Sequence, residues 1–498
     1  MTQALLAFKW LLVMFVLAGV VPLLVADYQF LLVGLHFRRL HYAKSAPTFP
    51  RTAILIPAWN EAAVIGGAID RLMLLDYPRD SLRIFVVDDA STDATPDVIQ
   101  AKAAKYPQTV VHLRRDKGGE GKAATLNHGL ALILADDWMQ AILIMDADVI
   151  YEASALRRMT RHLADPKVGS VTGYIKEGSG GAHHMARFIA YEYVTAQAAA
   201  RRSQEVLGAI ACLAGGAQLH SRDNIEALGG RIDTSTLAED TVTTFKTQIG
   251  GRRAIFEPQA VVWAEEPEGI VALWKQRLRW ARGNIQVTRL FRNIWFRPQP
   301  GNNLGSLSFG LLWFSILLLP VLMLMGSGSL VTLYFIDHSL ASVAFHGVWM
   351  AGGITYLFIT SFTLLIDTSV ARVTWKEAVL FPGAVNVVIL LGAVLPGPMN
   401  WLARQSLSAA GLVMTPGWTR GVELFVYLWL AACMGVAYLG KVCESRPLGR
   451  ITGPAFLYIG GYGPLLCAIS VAAYLNDLKN AEAHWDKTEK TGKVVASV

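Results

Sequence analysis

Apolar and polar positions divide the chain into three stretches with different rhythms. From Ala4 to Phe37 apolar residues run almost without interruption. About 20 residues suffice to cross a bilayer, so residues 4–37 are expected to form one transmembrane helix, tilted or extending past the lipid. The stretch is too long for a signal-peptide core, and no small-residue cleavage site precedes polar sequence. Arg38, Arg39, His41 and Lys44 follow at once. Positive flanks stay in the cytoplasm, which puts the N-terminus outside and the following segment inside.

Residues 38–284 read as a water-soluble domain, with charges and turn residues throughout. Three continuous apolar runs, Ala53 to Ile56, Ile84 to Val87 and Ile142 to Met145, have the pattern of strands covered on both faces. Between them Glu61 to Leu75 carries Val64, Ile65, Ala68, Ile69, Leu72 and Met73 at helical spacing. Alternating strand and helix predicts a parallel sheet with right-handed crossovers. Over 285–300, Leu290, Phe291, Ile294 and Trp295 share a stripe flanked by Arg289, Arg292 and Arg297, the pattern of a helix lying in the membrane interface.

Within 301–476, membrane segments are expected near Leu307–Phe335, Ala341–Ile366, Ala378–Leu395, Leu424–Leu439 and Pro454–Leu475. Pro382-Gly383 and Pro396-Gly397-Pro398 leave the third of these open between spanning and re-entrant. Five crossings would put the tail, 477–498, outside; four would put it inside.

Composition agrees with this division. A hydrophobic fraction of 53% over 498 residues exceeds that of one soluble domain, as does the mean hydropathy of +0.37. The net charge of +7 raises the question of nucleic acid. No basic block interleaved with aromatics supports that partner, and extra Lys and Arg are expected at a cytoplasmic membrane rim. Cys212, Cys433, Cys443 and Cys467 have neither metal-ligand nor pairing spacing.

Ligands of open parallel sheets bind beyond the carboxyl ends of the strands. Pro57-Ala58-Trp59-Asn60-Glu61, Asp88-Asp89 and Asp146-Ala147-Asp148 occupy those ends. Asp146 and Asp148 are two residues apart and can converge on one ligand. Two carboxylates with diphosphate oxygens suit Mg²⁺ or Mn²⁺, which would neutralise a departing diphosphate; a pair of solvated loop acids is the plain alternative. Asp88 and Asp89 can bond a base or ribose, or serve a turn and helix cap with Ser91 or Asp93. Gly118-Gly119-Glu120-Gly121-Lys122 lets backbone approach a ligand and offers an ammonium to phosphate. Its spacing is not that of a P-loop, and a surface turn is the alternative.

Asp240, beside Glu239, is a candidate base for an acceptor hydroxyl or a helix cap. The run Cys212-Leu213-Ala214-Gly215-Gly216-Ala217 is small enough for a sugar-binding floor or for tight packing. Gln276, Arg279 and Trp280 share one helical face. There Arg279 can bind diphosphate and Trp280 can stack on a sugar, or the two form an ordinary interfacial pair.

Taken in order, these motifs, with Gln276-Arg277-Leu278-Arg279-Trp280 last, resemble the membrane-integrated family 2 glycosyltransferases. Cellulose, chitin, hyaluronan and poly-N-acetylglucosamine synthases belong to that family. The resemblance covers roughly Ala53 to Arg282. It implies an α/β GT-A domain with a mixed, mostly parallel sheet, set between an N-terminal transmembrane helix and a C-terminal helical transmembrane domain. It also implies an inverting enzyme of the plasma (inner) membrane that takes a UDP-sugar and Mg²⁺ or Mn²⁺.

By position, Glu61, Asp89, Lys122 and Asp148 would hold the nucleotide, and Asp146 and Asp148 the metal. Asp240 would be the base. Glu239, Gln276, Arg279 and Trp280 would face acceptor and diphosphate, with Trp280 at the mouth of a channel carrying the growing polysaccharide outward. Accessory secretion subunits are expected partners. Trp485-Asp486-Lys487-Thr488-Glu489-Lys490-Thr491-Gly492 is similar to a cytosolic lid in some relatives, which favours an inside tail. No C-terminal β-barrel is expected, so control by cyclic di-GMP through an attached PilZ domain is not implied. Transfer of a single sugar to a lipid would use similar acidic motifs; a catalytically silent membrane subunit is a third reading, against which the intact acidic clusters argue.

Overall fold

The computed structural model describes residues 3–39, 41–413, 415–481, 492 and 494. Contacts divide it into two compact units. One holds Leu32–Glu268, Arg282–Gly310 and the described tail residues; the other holds Met1–Leu31, Gly269–Ala281 and Leu311–Ala481. The boundary expected at 284 is therefore not a single cut, because residues 269–281 group with the apolar helices.

The first unit is built on an eight-stranded sheet. In chain order the strands are β1 (Thr52–Ala58), β2 (Leu82–Asp88), β3 (Val110–Arg114), β4 (Ala141–Ile144), β5 (Val149–Tyr151), β6 (Val168–Glu177), β7 (Gln218–Ser221) and β8 (Arg253–Ala264). They lie in the order β3-β2-β1-β4-β7-β6-β8-β5. The pairs β3-β2, β2-β1, β1-β4 and β6-β8 are parallel, and the other three are antiparallel.

The three apolar runs of the sequence are the neighbours β2, β1 and β4, in register at Ile54↔Ile84 and Ile54↔Leu143. Ile54, Ile56, Ile84, Val86, Ile142 and Ile144 are fully buried, as doubly covered strands require. The helix Lys122–Leu134 covers one face with Leu126, Leu130 and Ile133. Its Gly129 allows close approach: a Cβ there would stand 2.5 Å from Leu55 Cδ1. The helix expected from Glu61 is shorter, Ile65–Leu72, because Ala62 to Val64 form a turn.

Two further expectations change. The N-terminal apolar stretch, Gln3–His36, is long and apolar enough to cross a membrane, but turns at Gly19-Val20 between helices Gln3–Ala18 and Val21–His36. Pro22 has no N–H to give the Ala18 carbonyl, and the backbone tightens there, with Gly19 N–H bonded to Val16 and Val20 N–H to Leu17.

The interfacial helix expected over 285–300 is not a separate element. Its first residues finish the helix Ile270–Leu290, and residues 291–296 are turns. The apolar stripe instead packs inward: Phe291, Trp295 and Phe309 surround the Phe245 ring at 5.0–6.0 Å between centroids. Ile294 and Trp295 are buried.

The second unit is helical. Among the described residues, Leu307–Ile336, His338–Ile366 and Pro416–Glu444 join Gln3–His36 as the four helices long and apolar enough to cross a membrane. Two broken pairs, Thr368–Val379 with Ala384–Val394 and Ile451–Gly460 with Tyr462–Leu478, bend by 80° and 93° and raise the number to six if each counts as one span. The second break, in the segment expected to be a plain span, falls at Gly461. The breaks pack against each other. A Cβ at Gly383 would lie 2.6 Å from the Ile459 carbonyl oxygen, and one at Gly461 would lie 2.3 Å from that of Pro382. Gly463 N–H donates to Phe381 O at 3.0 Å. Polar pairs tie this unit together: Lys9 to Asp337 at 2.8 Å, Thr355 to Asp27 at 2.8 Å and Tyr458 to Glu377 at 2.9 Å.

Candidate active site

The carboxyl ends of β1, β2 and β4 carry the predicted acids, and each loop is fixed by its own polar side chains. After β1 the chain turns through Asn60 at φ 54. Asn60 N–H donates to Ser91 Oγ at 2.9 Å, and Asn60 Oδ1 accepts Thr92 N–H at 2.9 Å. Glu61 N–H donates to Thr95 Oγ1 at 2.7 Å. These bonds set Glu61 beside the loop after β2.

Asp88 is fully buried and structural. It accepts Ser91 N–H at 2.9 Å and a guanidinium bond from Arg114. Asp89 accepts from Arg115 on one oxygen and from Gly119 N–H, at 3.1 Å, on the other. It thus holds the glycine-rich turn. Gly118 is obligatory there, since a Cβ would fall 2.1 Å from the Asp89 carbonyl oxygen.

That turn starts the helix on which Lys122 stands. Lys122 Nζ lies 2.5 Å from Asp146 Oδ1, 3.9 Å from Glu239 Oε1 and 3.3 Å from the Gly215 carbonyl oxygen. Burial by itself would lower its pKa; the carboxylates of Asp146, Glu239 and Asp240 outweigh it and raise the value. Asp146 and Asp148 lie in the connection from β4 to β5. Asp146 is half-buried, and its Oδ2 faces Gly216, where a Cβ would come within 3.5 Å.

Glu239 and Asp240 begin the helix Glu239–Ile249. Asp240 Oδ1 accepts Thr241 N–H at 2.7 Å, and Oδ2 lies 3.4 Å from where a Gly215 side chain would start. Lys122 Nζ is 3.3 Å from the same point. Lys122, Asp146, Glu239 and Asp240 therefore converge over the Gly215-Gly216 floor. The donor set suits a hard divalent cation: Lys122 occupies one Asp146 oxygen, the other faces the side-chain-free Gly216, and Asp148 adds a carboxylate to the same short connection.

Sequence reasoning missed the supports of this floor. Tyr151 donates its hydroxyl to the Gly216 carbonyl at 2.8 Å. Buried Arg201 donates to the Cys212 carbonyl at 3.2 Å. Burial pulls the Arg201 guanidinium down, opposed by Cys212, Asp240 and Tyr193. Burial, with Asp240 nearby, pushes the Cys212 thiol well up. An arginine inside a helix carries no mark of burial in the sequence; the neighbouring small-residue run was the one available signal.

Gln276, Arg279 and Trp280 belong to the helical unit, on Ile270–Leu290. There the missed residue is Arg277, which is buried, lies 4.0 Å over the Trp280 ring and donates to Gln276 Oε1 at 2.5 Å. The helix begins under Glu444, whose two carboxylate oxygens accept Ile270 and Val271 N–H at 2.8 and 2.7 Å. Of the segment expected to form a lid, residues 485–491 lie outside the described residues; Gly492 N–H donates to Glu265 at 2.9 Å.

Residues 50–283 match the family described as glycosyltransferase like family 2. Over 250 residues the chain is 35% identical to the probable glycosyltransferase YdaM of Bacillus subtilis strain 168, covering 50% of this chain and 58% of that one. It is 30% identical over 242 residues to the beta-monoglucosyldiacylglycerol synthase of Synechocystis, covering 49% of each. With the poly-beta-1,6-N-acetyl-D-glucosamine synthase of Staphylococcus epidermidis it shares 28% identity over 272 residues, covering 54% of this chain and 62% of that one. The chain thus spans about half to three-fifths of these relatives. Among solved structures, a Pyrobaculum calidifontis mannosyltransferase in complex with GDP-Man and Mn²⁺ superposes with a TM-score of 0.56 at 22% identity, covering 74% of this chain and 99% of that one. Sheet order, strand-end acids and these matches agree: residues 50–283 are a glycosyltransferase family 2 domain of GT-A-like fold.

Proposed function

We propose that this chain is an inverting hexosyltransferase of the plasma (inner) membrane, with its catalytic domain in the cytosol. In this reading it polymerises a hexose or N-acetylhexosamine from a UDP-sugar into a β-linked polysaccharide and passes the product across the membrane. The observation that carries the reading is the convergence of Lys122, Asp146, Glu239 and Asp240 over Gly215-Gly216.

In the reaction an acceptor hydroxyl attacks the anomeric carbon as the bond to diphosphate breaks, and Asp240 Oδ2 takes the hydroxyl proton. Asp146 and Asp148 would hold Mg²⁺ or Mn²⁺, which supplies charge neutralisation for the leaving diphosphate. Lys122 keeps a positive charge beside Asp146. Glu61 and Asp89, at the ends of β1 and β2, are assigned to the nucleotide with Asp148. The assignments of Gln276, Arg279 and Trp280 rest on residue type: a guanidinium for diphosphate and an aromatic face for a sugar ring. The poly-N-acetylglucosamine synthase relative supports polymerisation.

The test is nucleoside diphosphate release by purified full-length protein offered UDP-glucose, UDP-N-acetylglucosamine and GDP-mannose, with products sized. Chelator-sensitive UDP release with a long product is expected, and Asp240→Asn should lower turnover by about 10²–10⁴-fold. Release with no donor, or near-full turnover of folded Asp240→Asn, overturns the reading. A second reading, transfer of one sugar to a lipid, is favoured by the glucosyldiacylglycerol synthase relative. An organic-extractable product bearing one sugar would establish it.

A further inference from the structure

A second cluster of ligating side chains lies within the first unit and shares no residue with those assigned above. His41 and Tyr42 follow the N-terminal apolar stretch and fold onto β8 at Glu257 and onto the short 3₁₀ helix Arg161–Ala164 at His162. Glu257 is fully buried. Its Oε1 accepts the Tyr42 hydroxyl at 2.9 Å and Gln259 N–H at 2.8 Å. Its Oε2 points at two imidazoles, with His162 Nε2 at 2.7 Å and His41 Nε2 at 3.5 Å.

The His41 contact is too long for a hydrogen bond, and buried Nε2 has no hydrogen-bond partner. Its length fits something else. Zinc bonds nitrogen and oxygen at about 2.0–2.2 Å, so adjacent ligands of a tetrahedral ion stand about 3.3–3.5 Å apart. On the other side of the ring Glu205 Oε1 lies 3.5 Å from His41 Nδ1, equally beyond hydrogen-bond length, and would close on Nδ1 once Nε2 takes an ion. A carboxylate behind a ligating imidazole fixes its tautomer and orientation. His36 Nε2, 3.3 Å from Glu205 Oε2, holds that carboxylate from the far side. The positive neighbours include Arg202, which acts on His41, and Arg158 and Arg161, which act on Tyr42, Arg161 lying 4.9 Å over its ring. Glu205 and Glu257 face them with two negative charges.

We propose that His41 Nε2, His162 Nε2 and Glu257 Oε2 form a three-ligand site for Zn²⁺, with Glu205 orienting His41. Two imidazoles and one carboxylate select zinc, whereas the all-carboxylate Asp146–Asp148 pair favours magnesium or manganese. On binding, the proton between His162 and Glu257 leaves, and their 2.7 Å contact opens by less than about 1 Å to a ligand–ligand edge. The ion then ties the segment that follows the apolar N-terminus to the sheet of the catalytic domain.

The test uses full-length protein in detergent, stripped with a chelator and returned to micromolar Zn²⁺ or Co²⁺. One equivalent of zinc per chain is expected, with a tetrahedral Co²⁺ absorption spectrum and a rise in Tm on adding zinc. His41→Gln and His162→Gln should each lose the equivalent and the Tm rise, while Asp146→Asn with Asp148→Asn should keep both. Should the histidine variants fail to fold, the wild-type Co²⁺ spectrum decides: a tetrahedral spectrum with nitrogen ligands sustains the site, and an octahedral or absent one overturns it. Equal zinc binding by folded His162→Gln, or no retained zinc in the wild type, also overturns it.

Discussion

Gly215 is where the chemistry of the candidate site is most exposed to a single atom. Its missing side chain leaves the space that Lys122 Nζ and Asp240 Oδ2 both face. Gly215→Val fills that space without demanding a left-handed backbone. Turnover should fall at least about tenfold, with a Tm within a few degrees of wild type; unchanged turnover would remove the sugar from this floor. Gly118→Ala belongs to the other class, since its Cβ would overlap the Asp89 carbonyl. A loss of about 1–3 kcal/mol is expected in thermal or denaturant unfolding, with a raised KM for the donor because Asp89 and the turn move together. At this scale the sequence was informative for residues whose chemistry needs company nearby in the chain, such as Asp146 with Asp148. It was silent on Arg201, Tyr151 and the His41–His162–Glu257 cluster. Their partners come from remote segments, and lone histidines and tyrosines are ordinary in any sequence.

Helix Glu239–Ile249 carries Asp240, the proposed base, and the ion pair between Lys246 and Asp233 is one of its anchors. Burial favours a raised Asp233 pKa, but bonds from Lys246 and Ser235 win and bring it down to about 2. A carboxyl whose pKa is lowered on folding adds stability above its unfolded value of about 3.9, and that stability disappears as pH falls through about 2. Asp233→Asn should therefore remove about 1–2 kcal/mol near neutrality, allowing for partial exposure to solvent, and flatten the acid limb of stability between those two values. Unfolding midpoints across that range check it. Helix Ile270–Leu290 depends on Glu444 in the same way. Glu444→Gln keeps one acceptor and loses the charge at the helix start, for an expected cost of about 1 kcal/mol read as a lower Tm. Among elements, β1, β2 and β4 were legible because strands covered on both faces must be continuously apolar. Strands β6 and β8 were not, since Gly169, Gly173, Glu257 and Pro258 interrupt their patterns and they pair with each other and with the short strands β7 and β5. The stripe of Phe291, Ile294 and Trp295 was legible as apolar, but periodicity does not say whether lipid or Phe245 covers it.

Across the whole molecule, the proposed crossings constrain each other. Gly492 N–H bonds Glu265 within the first unit; under the proposed cytosolic placement of that unit, the tail and the segment before Leu307 share one side of the membrane. Gln3–His36 precedes the catalytic unit, and three unbroken helices follow it. An even number of later crossings then requires that one broken pair crosses and the other turns back. Pro382 in the sequence points to Thr368–Val394 as the pair that turns back. On a background without native cysteines, Ser408→Cys should be labelled by an impermeant reagent from the catalytic side; labelling from the opposite face alone would reverse the choice. Where helices break was half legible, since Pro382-Gly383 announces an elbow whereas Gly460-Gly461 reads as an ordinary small-residue step. The two elbows nest, each glycine occupying room that the other's backbone leaves. Neither bend has its complement until the ribosome has made residues near 460, so the earlier one is synthesised ahead of the surface it packs against. Completion of this region is tied to completion of the chain, and a product halted before residue 449 is left with an unmatched kink among apolar helices.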